Sequence, residues 1–328
     1  MLRSFAIENG RLVPLPGEVG AIPANASWID LVAPTDQEER LVEGALAVNI
    51  PTRAEAGGIQ PTDKLVSSGG SLCMSAFVPA TAHALPATIP VTFVKSGSVL
   101  VTVRYGTADS LDPLIERCES GETSIGNTSD LLVFLLEMVV DRISDRLERV
   151  RAELDRLRHL IFHHPAALSR RAKRHIPLGR RIKRLESVIQ DLGRQHELAG
   201  RLRESLQSLV RLAAFYREHG DAELRPKLKA IEADLHSVTD YDAALAADME
   251  FMLDATVGSI DIQQNKVIYI LSIVSVVLSP PVVVASIYGM NFEHMPELKW
   301  LLGYPWALGL MLLSAIGPFL VFKLRGWL

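Results

Sequence analysis

Three rhythms of hydrophobic and polar positions follow one another along this chain. Up to about residue 124 the apolar residues come in short, β-branched runs with Gly, Pro and Ser between them. Such runs read as strands. "SFAIENGRLV" sets an Asn-Gly pair between two of them, the mark of a tight hairpin. "WIDLVAPTDQEERLVEGAL" predicts a strand and then a helix, with Thr35 as N-cap and Glu38 completing a capping box. "SLCMSAFVPA", "IPVTFVKSG" and "SVLVTVRYG" predict three more strands. Residues 1–124 are therefore expected to form a small α/β domain.

From about Leu131 the spacing changes to three and four. "LLVFLLEMVVDRISDRLERVRAELDRLRHLIF" is one long amphipathic helix, with Arg, Asp and Glu between its apolar positions. Pro165, Pro177 and Gly179 interrupt the pattern, which resumes from Arg180 to Tyr216 and breaks again at Gly220. A third helix is expected to start near Ala222 and to find no stop before Tyr288, with Pro226 tolerated in its first turn. At 1.5 Å per residue it would be roughly 100 Å long, which requires a stalk or coiled-coil setting. Residues 125–265 read as this long-helix stalk.

The third rhythm is unbroken apolarity. Val267 to Tyr288 is 22 residues without a charge, and Tyr304 to Phe322 is 19. Both are long enough to span a bilayer, so residues 266–328 read as a two-span membrane domain. Lys266 precedes the first span, while Lys323 and Arg325 follow the second. The loop between has Lys299 but also Glu293 and Glu297. Positive flanks face the cytoplasm, so both termini are expected inside and the loop outside an inner or plasma membrane. The opening "MLRSFAIENGRLVPLP" has no apolar stretch of signal-peptide length, which agrees with a cytoplasmic N-terminal half.

Composition narrows the chemistry. A net charge of −4 over 328 residues gives no signature for nucleic acid. Cys73 and Cys118 read as reduced core thiols. His163, His164, His175, His196 and His294 lack partners at zinc-like spacing. There is no P-loop, Gly-x-Gly-x-x-Gly or nucleophile elbow, and so no sign of an enzyme or of ATP-driven transport. The basic run Arg170 to Arg184 reads as a solvated helix junction, with anionic headgroups as the second reading.

The first span carries a pattern of its own. Asn265, Ser272, Ser279 and Ser286 recur every seven residues, and Ser275 lies between the first two serines. They draw one narrow stripe, either a close helix–helix interface or the lining of a pore in an oligomer. From Ile231 to Asn265 there is no Lys or Arg, but there are eight acids: Glu232, Asp234, Asp240, Asp242, Asp248, Glu250, Asp254 and Asp261. Asp240, Asp254 and Asp261 share a heptad register with Ile268, Ser275, Val282 and Gly289. In a parallel ring these carboxylates would stack and repel unless cations lay between them. A cation pathway accounts for that seam; a simple anchor does not.

At Tyr288-Gly289-Met290-Asn291 the chain resembles the CorA family of divalent-cation (magnesium/cobalt) transporters. "YGMNF", "MPEL", a Trp, "GYP", a second span and the tail "KLRGWL" all occur in order. The resemblance is strong over residues 260–328 and diffuse over the first 125. It implies a funnel-shaped homopentamer passing Mg²⁺, and also Co²⁺ or Ni²⁺, with the first spans around the pore. It implies no cofactor: Mg²⁺ is the cargo, and cytoplasmic Mg²⁺ between subunits holds the pore closed. On this reading Asn291 rings the outer mouth and meets the ion through its hydration shell. Gly289 lets the backbone leave the helix, and Met290 packs the loop. Glu293 and Glu297 concentrate cations outside. Ile268 and Leu271 form an apolar constriction at the cytoplasmic end, below Ser272, Ser275, Ser279, Val282 and Ser286. Asp240, Asp254 and Asp261, joined by Asp234, Asp242 and Asp248 higher on the stalk, carry the cytoplasmic feedback. The rivals are a zinc transporter of the same superfamily and a membrane-tethered scaffold or sensor with a vestigial pore.

Overall fold

The structure is a computed structural model. It describes residues 1–16, 21–56, 65–82, 85–108, 111, 113, 115, 117, 124–162, 178–290, 295, 296 and 300–326. Two compact units are present, one of Met1–Arg170 with Val188–Leu253, the other of Arg171–Ser187 with Asp254–Leu328.

The first unit opens with seven strands in one sheet, ordered β2-β1-β3-β7-β6-β5-β4. They are β1 (Leu2–Glu8), β2 (Arg11–Leu15), β3 (Trp28–Val32), β4 (Leu65–Ser68), β5 (Ser71–Ala82), β6 (Leu85–Ser96) and β7 (Val99–Arg104). Neighbours are antiparallel except β3 and β7, which run parallel. The Asn-Gly signal is a true two-residue hairpin: Glu8 pairs with Arg11 across Asn9 and Gly10, whose φ angles are 51° and 80°. Two positive φ values in succession match the twist of the flanking strands. The short β4 and the one-turn helix α2 (Arg53–Ala56) are beyond what the sequence pattern predicts, because four residues carry no legible period.

Helix α1 (Asp36–Leu46) starts as the capping box requires, with Thr35 and Glu38 each bonding the other's backbone. The Thr35 backbone N–H, donating to the Glu38 carboxylate, is the main cause that lowers its pKa. Beside this helix, Ile29, Leu31, Val101 and Val103 join Val42 in one fully buried cluster. Residues one step along β3 and β7 point to the opposite face. There the Asp30 carboxylate, 0% exposed, accepts from Arg104 Nη2 at 2.9 Å, Arg3 Nη2 at 2.6 Å and Thr102 Oγ1 at 2.8 Å. Trp28 Nε1 donates to the same Thr102 hydroxyl at 3.0 Å.

Three long helices follow the sheet: α3 (Thr128–Phe162), α4 (Leu178–His219) and α5 (Arg225–Tyr288). Helix α3 begins three residues before the apolar run, because Asn127 caps it and accepts from the Asp130 N–H at 2.8 Å. The α4 side joins the sheet where the Phe77 N–H donates to Ser208 Oγ at 2.9 Å. Helix α5 is preceded by a 3₁₀ turn at Ala222–Leu224 and then runs 64 residues without interruption. The expected single long helix is thus present.

The second unit holds the start of α4, α5 from Asp254 onward, and α6 (Gly303–Leu324). Helices α5 and α6 are both long and apolar enough to cross a membrane. On α6 the least exposed positions are Gly303, Ala307, Met311, Ser314, Ala315, Pro318 and Phe322, one stripe of mostly small residues. Small residues allow close approach of helices in lipid.

Asp30→Ala should lower stability by about 3–5 kcal/mol, because it strands the buried Arg104 guanidinium. Thermal unfolding of the full chain in detergent, with exposed Asp36→Ala as the control, measures the loss.

Candidate functional site

The 64 residues of α5 present two faces. In the first unit one face is buried: Ile231, Leu235, Asp242, Leu245, Met249 and Met252 are each at most 3% exposed. In the second unit the same heptad rows continue through Thr256 and Ile273, both buried, and then through the half-buried Val277, Pro280 and Val284. The residues singled out in the sequence lie about 160–240° around the helix from these rows, at 100° per residue. Asp240, Asp254, Asp261, Asn265, Ile268, Ser272, Ser275, Ser279, Val282, Ser286 and Gly289 are all exposed. Leu271 flanks them and is 64% exposed. These residues form an exposed seam along α5, although beyond Asp261 most of the rest of the helix is exposed too, at Val267, Ile270, Val274, Leu278 and Val283 among others.

The acids divide along the same line. Asp242 accepts from Arg203 Nε at 2.6 Å and is itself 0% exposed. Asp248 accepts from Arg158 at 2.5 Å and Arg151 at 3.3 Å, and Glu232 from Arg217. These three hold arginines of α3 or α4. Asp242 and Asp248 therefore belong to the packing of the first unit, which corrects their expected place among the regulatory acids. Asp240, Asp254 and Asp261 meet no Lys or Arg among the described residues. No three His, Cys, Asp or Glu converge to hold a metal within one chain, again among the described residues.

The serines have a defined polarity. Ser272 donates its hydroxyl hydrogen to the Ile268 carbonyl at 2.8 Å, Ser275 to Leu271 at 2.9 Å and Ser286 to Val282 at 2.8 Å. Each oxygen keeps its lone pairs free on the exposed side. Pro280 and Pro281 sit inside the helix. Neither has an N–H, so the carbonyls of Val276 and Val277, four residues earlier, lose their usual donors. The sequence reading passed over that pair because the apolar run continues through it.

The helix ends at Tyr288. Gly289 donates to the Ala285 carbonyl at 2.9 Å and Met290 to that of Ile287 at 3.2 Å. Gly289 does not adopt positive φ, so conformational freedom is not its use here. A Cβ would stand 3.2 Å from the Ala285 oxygen, so the close approach is what favours glycine. Met290 is 47% exposed. Asn291, Glu293 and Glu297 lie outside the described residues. A separate cleft of about 310 Å³ at the start of α3 holds the Asp130–Lys227 ion pair and includes none of the seam residues.

The sequence profile described as "CorA-like Mg2+ transporter protein" matches residues 24–324. The chain belongs to the CorA family. It is 31% identical to the magnesium transport protein CorA of Escherichia coli K12 over 338 aligned positions, covering all of both chains. The CorA magnesium transporter of Methanocaldococcus jannaschii has the same fold, with a TM-score of 0.77 at 16% identity over 100% of this chain and 99% of that one. The cytoplasmic domain of ZntB from Vibrio parahaemolyticus aligns with 79% of this chain and 97% of its own, at a TM-score of 0.58 and 8% identity. At such identity the likeness is one of fold alone. This CorA-family chain is a membrane protein and a Mg²⁺ transporter, with a soluble domain, a long helix and a C-terminal apolar helix.

The division of the acids has a direct consequence. Asp242→Ala should destabilise the first unit by about 1–2 kcal/mol, since it removes a charge-assisted hydrogen bond from a buried carboxylate but leaves the Arg203 guanidinium, 38% exposed, within reach of water. Asp240→Ala, two residues away, should change stability by less than about 0.5 kcal/mol. Limited proteolysis and thermal unfolding of the two variants should separate them clearly.

Proposed function

We propose that copies of this chain form a ring, a homopentamer by family resemblance, in which the open seam of α5 lines a path for Mg²⁺. The single observation that carries this is the polar row Ser272, Ser275, Ser279 and Ser286, exposed in an otherwise apolar span with Asn265 just before it. Both termini are cytoplasmic in this arrangement and the loop after Tyr288 is outside. Residues 1–124 form the cytoplasmic domain, 125–265 the funnel and 266–328 the two-span pore domain.

The chemistry suits a hydrated ion. Mg²⁺ holds its waters tightly in octahedral geometry, so it presents water hydrogens rather than bare charge. A path for it needs acceptors. The serine oxygens, with their hydrogens turned back to the helix, are acceptors, and so is the amide oxygen of Asn291. Neutral acceptors bind weakly enough for release, whereas a carboxylate ring at the mouth would hold the ion. Co²⁺ and Ni²⁺ share the size and charge for the same path. Glu293 and Glu297 raise the local cation concentration outside. A divalent ion gains roughly 4.6 kcal/mol from a potential of 100 mV, so no nucleotide is required.

Closure follows from the same seam. Ile268 and Leu271 narrow the path at its cytoplasmic end with apolar side chains, which block by dewetting. Asp240, Asp254 and Asp261, unpaired by arginine among the described residues, would face their counterparts across the ring. Cytoplasmic Mg²⁺ between them offsets the repulsion and favours the closed, symmetric state; its loss lets the helices part. The ion shifts this balance only through its higher affinity for the closed ring.

Three measurements test the reading. Asn291→Ala should abolish Mg²⁺ uptake into proteoliposomes with normal expression and oligomer size; uptake at the normal rate would falsify the mouth assignment. Cysteines at Ser272, Ser275 and Ser279 should react with small water-soluble thiol reagents, while those at Ile273 and Val277 resist; equal reactivity would return the seam to helix packing. Millimolar Mg²⁺ should protect the wild type from proteolysis and leave an Asp240→Asn/Asp254→Asn/Asp261→Asn variant unprotected. Equal protection of both would place the Mg²⁺ effect elsewhere.

A further inference from the structure

The ion path proposed above makes no use of the basic run of the sequence. From Arg170 to Arg184 there are eight Lys or Arg and no Asp or Glu, in a chain whose net charge is −4. Its described end is the first two turns of α4, where Arg180, Lys183 and Arg184 are exposed while Leu185 and Val188 are buried. None of the three cations meets a carboxylate among the described residues. Further along the same helix the exposed arginines do: Arg194 pairs with Asp191 at 3.3 Å and Arg201 with Glu197 at 2.8 Å. The first turn of α4 has no acidic residue either. Cations there oppose the helix dipole, so they cost helix stability rather than adding to it.

The placement gives these charges a partner. Residues up to Ser187 belong to the same compact unit as the two membrane-crossing segments of α5 and α6, whereas Val188 onward belongs to the other unit. Three solvated cations cannot enter the hydrocarbon, so within that unit they belong with its aqueous part, which includes the segment Asp254–Lys266 that leads into the first span. We propose that Arg180, Lys183 and Arg184 form a docking surface for the anionic phospholipid headgroups beside the spans. The guanidinium forks of Arg180 and Arg184 match phosphate oxygens in pairs, and Lys183 adds a point charge. The occupant is the lipid surface, because anionic headgroups present many phosphates side by side, which matches three clustered cations in a unit that also holds the spans. The proposal requires only that the chain sit in a membrane, and stands apart from the seam and its ion.

Hydrogen exchange of the full chain reconstituted in vesicles tests it. The first N–H groups of a helix have no internal partner, so their exchange reports an added contact directly. Exchange over residues 180–187 should slow on the order of tenfold in vesicles of phosphatidylcholine with phosphatidylglycerol, compared with phosphatidylcholine alone. The difference should shrink at about 1 M salt, where the Debye length falls to about 3 Å. It should vanish in the Arg180→Gln/Lys183→Gln/Arg184→Gln variant, with exchange over Ile231–Met252 unchanged as the check on folding. A Lys183→Gln variant alone should show a smaller, intermediate difference. Equal exchange of the wild type in both lipids overturns the proposal and makes the run a solvated helix junction. So does lipid-dependent slowing that survives in the triple variant.

Discussion

A helix can bury one face against its own chain, and α5 has two to account for. Its inner rows are anchored in the first unit by apolar contacts and by Asp242 on Arg203. That anchoring decides, by rotation alone, which residues remain uncovered. In the first unit the buried positions are mostly apolar or, like Asp242, paired with arginine, while the exposed positions of α5 hold the acids Asp240 and Asp254, the serines and many large apolar residues such as Ile268, Leu271 and Val282.

The same division explains why the acids are unequal. A carboxylate in the interior must be paired, because an isolated buried charge is costly. Asp242 and Asp248 meet that need within the chain. The exposed acids have water, and water tolerates them singly. Crowding them in an assembly would reverse the balance, since like charges at short range disfavour ionisation or recruit counter-ions. Identical residue types thus serve cohesion on one face and stay hydrated on the other.

Much of this was legible in the sequence. The hairpin at Asn9-Gly10, the capping box at Thr35 and the unbroken helix to Tyr288 are local, and local chemistry fixes them. The seam was legible because seven-residue recurrence survives any packing. What stayed hidden required partners far apart in the chain. Asp242 and Asp248 look like their neighbours in the acidic run, and only Arg203, Arg151 and Arg158 distinguish them. Gly289 was expected to supply backbone freedom, but it relieves a steric approach instead. The loop motif from Tyr288 to Trp300 signalled the family.

The unbroken run of α5 also constrains how such a chain can change length. Inserting one residue between Asp242 and Ile268 would turn everything beyond it by about 100°, carrying Ser272 and Ser275 off the seam. An insertion of seven turns it by only about −20°. Length in this segment is therefore quantised: relatives that lengthen or shorten it while keeping both faces must do so in whole heptads, or by pairs of three- and four-residue steps. A frame, in the geometric rather than the coding sense, is maintained along the helix, and a single-residue slip within it would be as damaging as the loss of the residues it misplaces.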